Sequence, residues 1–173
     1  MGEPVMNVFE CVSTLSSIRS YVQKEVPEEV IMEVLEAGRL APSAHNDQPW
    51  QFILIRNKSK LKDMKKYCLS GSFISQAGFA VVVVTYPASK WHEIDSTRAV
   101  QSMVLTAWSH KLGSCWIGRL DKEGLMEYLE IPKNLNILTV LPFGYFDESL
   151  AKSTKFRKDP AQVFHLNTYG RKM

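Results

Sequence analysis

Apolar residues recur along this chain with two different periods, and the switches between them mark out its elements. Val5, Val8, Phe9, Val12 and Leu15 fall at helical spacing, which predicts a first amphipathic helix ending before Ser16 and Ser17. Arg19 to Val26 reads as a connector. Pro27 suits the first position of a second helix, where Glu28 and Glu29 meet the positive end of the helix dipole. Val30, Ile31, Val34, Leu35 and Gly38 line one face of that helix, and Pro42 stops it.

Trp50 to Ile55 is a predicted strand, and Ser59 can cap a short helix carrying Leu61, Met64 and Cys68. Phe79 to Tyr86 contains the run Val81 to Val84, the mark of a strand buried on both faces. The longest helix is predicted from about Asp95 to Leu112, with Ala99, Met103 and Ala107 on one side and Gly113 as its stop. Ser114 to Ile117 follows as a short strand. Asp121 can cap a helix running through Leu129. Leu135 to Phe143 is a last strand, in which Pro142 limits pairing. The rest is a polar tail with Lys152, Lys155, Arg157 and Lys158. Helices and strands that interleave around one buried sheet predict a mixed α/β or α+β domain.

Composition narrows the class. A chain of 173 residues suits one domain over residues 1–173, and no linker, repeat or low-complexity tract divides it. The net charge of +3, from 21 Lys+Arg against 18 Asp+Glu, is too mild to indicate nucleic acid, and no helix-turn-helix or RNP-like run is present. Cys11, Cys68 and Cys115 are odd in number and far apart, which fits reduced thiols of an intracellular protein. The start shows no signal-peptide pattern, and the longest apolar run, Phe79 to Val84, is far below the ~20 residues of a membrane helix. The expected compartment is the cytoplasm, with no membrane partner.

Several chemistries lack a signature. There is no glycine-rich dinucleotide fingerprint, no phosphate loop, no Cys-x-x-Cys pair and no Gly-x-Ser-x-Gly elbow. His45, His92, His110 and His165 are scattered, and His92 with Asp95 alone does not make a metal site. Cys115, beside Trp116, reads as a packed thiol.

The segment Ala41-Pro42-Ser43-Ala44-His45-Asn46-Asp47-Gln48-Pro49-Trp50 stands apart. It is a polar, proline-bracketed loop between a predicted helix and a predicted strand, the kind of place where binding groups sit. Ser43, Asn46 and Gln48 offer uncharged donors and acceptors that suit a planar heterocycle with carbonyls and ring nitrogens. The same residues also fit a plain turn in which Ser and Asn bond their own backbone.

Four segments in order resemble the nitroreductase family of flavin mononucleotide (FMN) enzymes. Ser17-Ile18-Arg19 is similar to the end of its Arg-Arg-Ser-x-Arg run, and the loop above, continued by Gln51-Phe52, to its Pro-Ser-x-x-Asn-x-Gln-Pro-Trp signature. Gly113-Ser114-Cys115-Trp116-Ile117-Gly118 is similar to its glycine-rich turn after the central helix. Gly144-Tyr145, followed by Lys155-Phe156-Arg157, is the fourth.

The resemblance implies an α+β fold, an α/β/α sandwich with a central mixed sheet covered by helices. It also implies a two-fold homodimer with FMN at the interface, contacted by both chains. Its shortness for the family implies a more open pocket.

By the same resemblance, Arg157 with Lys155 meets the phosphate, where Ser17 adds a hydroxyl. Arg19 sits at the flavin pyrimidine edge, where a fixed cation favours the reduced state. Pro42, Ser43 and Asn46 line the flavin, with Ser43 reaching the neighbouring subunit's cofactor, while Gln48 either lines it or braces the loop. Ile117 and Gly118 pack against the ring, where glycine lets the backbone approach. Trp50 and Trp116 are expected in the core or at an interface. One position departs from the pattern: Leu15 stands where the family often has an arginine, so a usual phosphate contact is missing.

The implied activity passes electrons from NADH or NADPH through FMN to an electron-poor small molecule, a nitroaromatic or quinone, by a ping-pong cycle. No side chain is singled out as catalytic. Two alternatives stay open on the same fold: an FMN carrier or sensor without robust turnover, and a specialised reductase.

Overall fold

The computed structural model describes residues 6–151 and 155–173; Val5 and Lys152 lie outside them. Five helices and four strands form the frame: α1 (Val8–Thr14), α2 (Glu28–Arg39), β1 (Trp50–Ile55), α3 (Lys58–Met64), β2 (Phe79–Thr85), α4 (His92–Ser109), β3 (Leu112–Ser114), α5 (Lys122–Tyr128) and β4 (Asn136–Tyr145). The sheet order is β1-β2-β4-β3, and every neighbouring pair is antiparallel. The four strands are thus antiparallel throughout where a mixed sheet is expected, and an isolated parallel bridge, from Ser17 to Ser114, lies outside their pairings on the outer edge of β3.

The side-chain period of two sorts this sheet into two faces. Phe79, Val81, Val83, Leu141 and Phe143 pack with Ile31 and Val34 of α2 and Val100 and Met103 of α4. Ala80, Val82, Val84 and Val140 pack on the other side with Leu61 and Met64 of α3, Ile74, and Leu125 of α5. Both faces of β2 are therefore covered, as the valine run predicts, and all of its residues are buried. Gly38 is the close-approach point between α2 and α4, since a Cβ there would run into the Met103 side chain. An α+β sandwich results, helices on both faces of one sheet.

Several boundaries differ from the sequence reading, each for a physical reason. Asn57 rather than Ser59 caps α3, its side-chain oxygen accepting the Lys60 N–H at 3.0 Å. Pro27 is the residue before the first turn of α2, not its first helical position. The long helix starts a turn earlier, at His92, and ends at Ser109 because Lys111 adopts a left-handed φ of 59°. Gly113 is thus a strand residue, paired with Gly144. Asp121 caps α5 as expected, accepting the Gly124 N–H.

Pro142 interrupts the sheet as its chemistry requires. Leu112 to Ser114 pair with Tyr145 to Phe143, and Ile117 rejoins β4 opposite Val140 in the same register. Between them Cys115 falls opposite Pro142, which has no N–H to donate, so Cys115 and Trp116 leave the ladder.

The stripe on α1 points the wrong way for a core. Only Cys11 of that helix is buried, while Val8, Phe9 and Val12 are 74%, 78% and 51% exposed. Helical spacing tells which residues share a face; it does not tell what covers that face.

Candidate functional site

The residues singled out from the sequence collect in two groups on opposite edges of the sheet. The first gathers at β3. Ser17 bridges Ser114, and the Ile18 N–H donates to the Ser114 carbonyl at 2.9 Å. This turns the chain so that Ile18 is buried while Ser17 and Arg19 face outward. Tyr21 locks the turn from below: its buried hydroxyl donates to the Ile18 carbonyl at 2.9 Å and lies 3.3 Å from the Pro142 carbonyl. Ile117 is buried and held by the Thr139 hydroxyl, which donates to its carbonyl at 3.1 Å. Trp116 is 41% exposed, with its indole beside Gly118, so it is a surface-facing group and not core.

Arg19 has no carboxylate partner among the described residues. Its guanidinium and the Ser17 hydroxyl instead lie near the Cys115 thiol, whose own hydrogen bond runs to the Trp116 carbonyl at 3.7 Å. Burial pushes the Cys115 thiol up, and the Arg19 charge first, with the nearby Ser17 and Arg19 donors after it, opposes that rise. The balance leaves Cys115 above its ordinary value, so it is a neutral thiol and not an activated nucleophile. Cys68 is pushed up to about 12 by burial.

The basic tail joins this group. Lys155 Nζ donates to the Val12 carbonyl at 3.1 Å, at the end of α1 from which Ser17 and Arg19 emerge. Desolvation first, and the neighbouring Arg157 charge second, hold Lys155 below the usual lysine value. An anion between two such cations would relieve their repulsion. The Arg157 guanidinium is exposed and, among the described residues, donates to the Phe156 carbonyl at 2.9 Å. Leu15 is half-buried and packed on the core, so that position supplies packing in place of a cation.

Gly113 sets how closely this segment lies on the sheet. A Cβ there would sit 2.6 Å from the Ile18 Cβ and 2.8 Å from a Phe146 ring carbon. Gly113→Ala is expected to cost about 1–3 kcal/mol. Displacement of Ile18 should also disturb Ser17 and Arg19. A thermal melt checks the first effect and FMN titration the second.

The second group is the loop from Pro42 to Gln48, before β1. It is held in a tight backbone with left-handed φ at His45 (52°), Asn46 (59°) and Gln48 (46°). Ser43 Oγ accepts the Gln48 N–H at 3.0 Å, which leaves its own O–H hydrogen to donate elsewhere. Gln48 Nε2 donates to the Asn46 carbonyl at 3.2 Å, so Gln48 braces the loop. Ser89 Oγ donates to Asp47 at 3.0 Å, tying the loop to the β2–α4 connection. Trp50 is buried with Ala41 and Ala99, fixing both loop ends to α4. Pro42, Asn46 and Gln48 are exposed.

β1 and β3 are the two sheet edges, three strand spacings or about 14 Å apart. No hydrogen bond joins the two groups among the described residues. One copy therefore presents two half-sites: a cation-and-hydroxyl surface at β3 and an amide-and-hydroxyl loop at β1. Among the described residues no group of three His, Cys, Asp or Glu gathers as a metal site, and no helix is long and apolar enough to cross a membrane. Sequence reasoning missed Tyr21, Asp95 and Ser89, because their roles depend on distant partners, 42 residues away for Ser89 and Asp47, 51 for Asp95 and Ala44, and 121 for Tyr21 and Pro142.

An antiparallel sheet with helices on both faces, carrying its polar groups on two opposed edges, is not the parallel sheet of a dinucleotide-binding fold. The model of the nitroreductase family matches residues 15–86 and 65–145, and the chain belongs to that family. A protein of Archaeoglobus fulgidus, provisionally named an NADH dehydrogenase/NAD(P)H nitroreductase, is 35% identical over 76% of this chain and 81% of its own. The "FMN reductase [NAD(P)H]" of Bacillus subtilis is 27% identical over 88% of this chain and 70% of its own. The solved "FMN-dependent Nitroreductase" of Clostridium difficile R20291 superposes with a TM-score of 0.80 at 26% identity, covering 92% of this chain and 98% of the other. The chain is an oxidoreductase by this kinship.

Proposed function

We propose that this chain is a single FMN-binding domain that works as a homodimer and moves electrons from NADH or NADPH to an electron-poor small molecule such as a nitroaromatic or quinone. The carrying observation is the division of the polar residues between opposite sheet edges, which a two-fold dimer would bring face to face. The exposed apolar residues Val8, Phe9 and Val12 support it, since a partner would cover them.

The donor set fits FMN. Lys155 and Arg157 supply cations for a phosphate dianion, and the Ser17 hydroxyl adds a donor. Arg19 offers a dioxopyrimidine edge a guanidinium with no competing carboxylate among the described residues. The Ile117 side chain is buried in the core and not turned to a ring, so it is the exposed backbone at Gly118 that is left to face one. From the facing chain, the Ser43 hydroxyl and the Asn46 amide complete the polar rim, with Pro42 beside them. FMN, when bound there, would supply the redox chemistry between nicotinamide and acceptor. The protein's part is to bind, orient and bias charge. The three buried thiols suit a reducing compartment such as the cytoplasm.

The test is a visible spectrum of protein loaded with FMN, washed, and exposed anaerobically to NADH and then NADPH. Flavin that is retained and bleaches, followed by parallel double-reciprocal plots with a quinone acceptor, is the expected result. Retained flavin that stays yellow would move the chain to the carrier reading, and no retained flavin would sink the proposal.

A further inference from the structure

The buried stripe of α4 begins with a carboxylate. Asp95, Ala99, Met103 and Ala107 follow each other at four-residue intervals, and all are buried. Asp95 is 2% exposed, at a place where the spacing calls for an apolar side chain. Burying a carboxylate is costly unless it is hydrogen-bonded. Among the described residues its short hydrogen bond comes from the Ala44 N–H, at 3.0 Å, with Arg98 Nη1 at 3.6 Å from its other oxygen.

Ala44 lies between Ser43 and Asn46, within the loop that holds three left-handed non-glycine residues. Such backbone persists only where surrounding contacts over-determine it. The contacts run to one helix: Ala41 and Trp50 pack on Ala99, and Ala44 is tied to Asp95 one turn earlier. The ends of the loop are thus fixed by packing and its middle by a charge-assisted hydrogen bond.

We infer that Asp95 is a positioning residue: through the Ala44 N–H it holds Ser43 and Asn46 in the geometry that meets the cofactor of the facing chain. This rests on the flavin reading above. Asp95 itself is buried and acts through the loop backbone at Ala44.

The experiment compares Asp95→Ala, Asp95→Leu and Asp95→Asn in the full chain. Readouts are the FMN dissociation constant by fluorescence quenching, the absorption maximum of bound FMN, and hydrogen exchange of the Ala44 amide without FMN. Asp95→Ala and Asp95→Leu remove the acceptor, and Leu keeps the site filled should Ala unfold. Both are expected to weaken FMN binding by at least about tenfold, shift the flavin band and speed Ala44 exchange. Asp95→Asn keeps an oxygen that can accept the Ala44 N–H, so affinity should return to within about threefold of wild type. A folded Ala or Leu variant with wild-type affinity and band position overturns the role of Asp95 alone. An Asn variant as weak as the Leu variant overturns it too. Wild-type protein that binds no FMN overturns the flavin reading, and this role with it.

Discussion

Replacing Arg19 with alanine should slow the reduction of bound FMN by NADH or NADPH about 100-fold, the usual scale for removing one preorganised group that faces developing charge. Reduction places negative charge at the pyrimidine edge of a flavin, and Arg19 is the outward-facing cation of the β3 half-site. Its surroundings prepare it for that task. Ile18 anchors it to the sheet through Ser114, Tyr21 pins the carbonyl before it, and Cys115 is a neutral neighbour that does not neutralise it. The check is anaerobic stopped-flow at 450 nm, roughly the flavin band, with protein saturated in FMN so that binding and reduction separate. Arg19→Lys should lie between, because it keeps the charge and loses the planar fork. A rate unchanged in Arg19→Ala would make Arg19 an ordinary surface arginine.

Phe143→Ala should destabilise the fold by about 3–5 kcal/mol. Phe143 is fully buried in β4 and stacks on Phe79 of β2, ring centroids 4.9 Å apart at 14°. Removing the ring opens a cavity between α2, α4 and the two central strands, where no side chain can move in without dragging backbone. A typical domain has about 5–15 kcal/mol in all, so this one change should take a large share of it. Urea unfolding reads the effect as a fall in midpoint at constant slope. A double-mutant cycle with Phe79→Ala should show coupling of about 0.5–1.5 kcal/mol for the stacked pair. A loss below about 1 kcal/mol would mean that the site collapses freely, contrary to the packing described.

Much of the frame was legible in the residues, and the misses share a cause. The Val81 to Val84 run and the Ala99, Met103 and Ala107 stripe specify burial by their own chemistry, and both are buried. Asp121 is a cap whose partner is three residues away, so local sequence suffices. Lys111 ends α4 through a left-handed backbone that its side chain does nothing to advertise, and Gly113 looked the better stop. Asp95 is read from the sequence as the approximate start of a helix, and its burial is hidden there because the Ala44 N–H that bonds it comes from the distant loop. The candidate site is the same case on a larger scale. Ser17, Arg19, Ile117 and Gly118 are gathered at β3, and Ser43 and Asn46 at the other edge of the sheet. Strand order decides that separation, and a list of motifs does not contain it.

The most direct test is complementation between two damaged chains. Arg19→Ala breaks the β3 half-site and Asn46→Ala the loop half-site, so each homodimer should have two impaired sites. Equal amounts of the two, unfolded and refolded together, should give half heterodimers at random, each holding one intact site and one doubly damaged. NAD(P)H–quinone activity should then return to about a quarter of wild type, well above either variant alone. Activity that stays at the average of the two variants, in a mixture shown by mass to contain heterodimers, would contradict a flavin site shared between two chains.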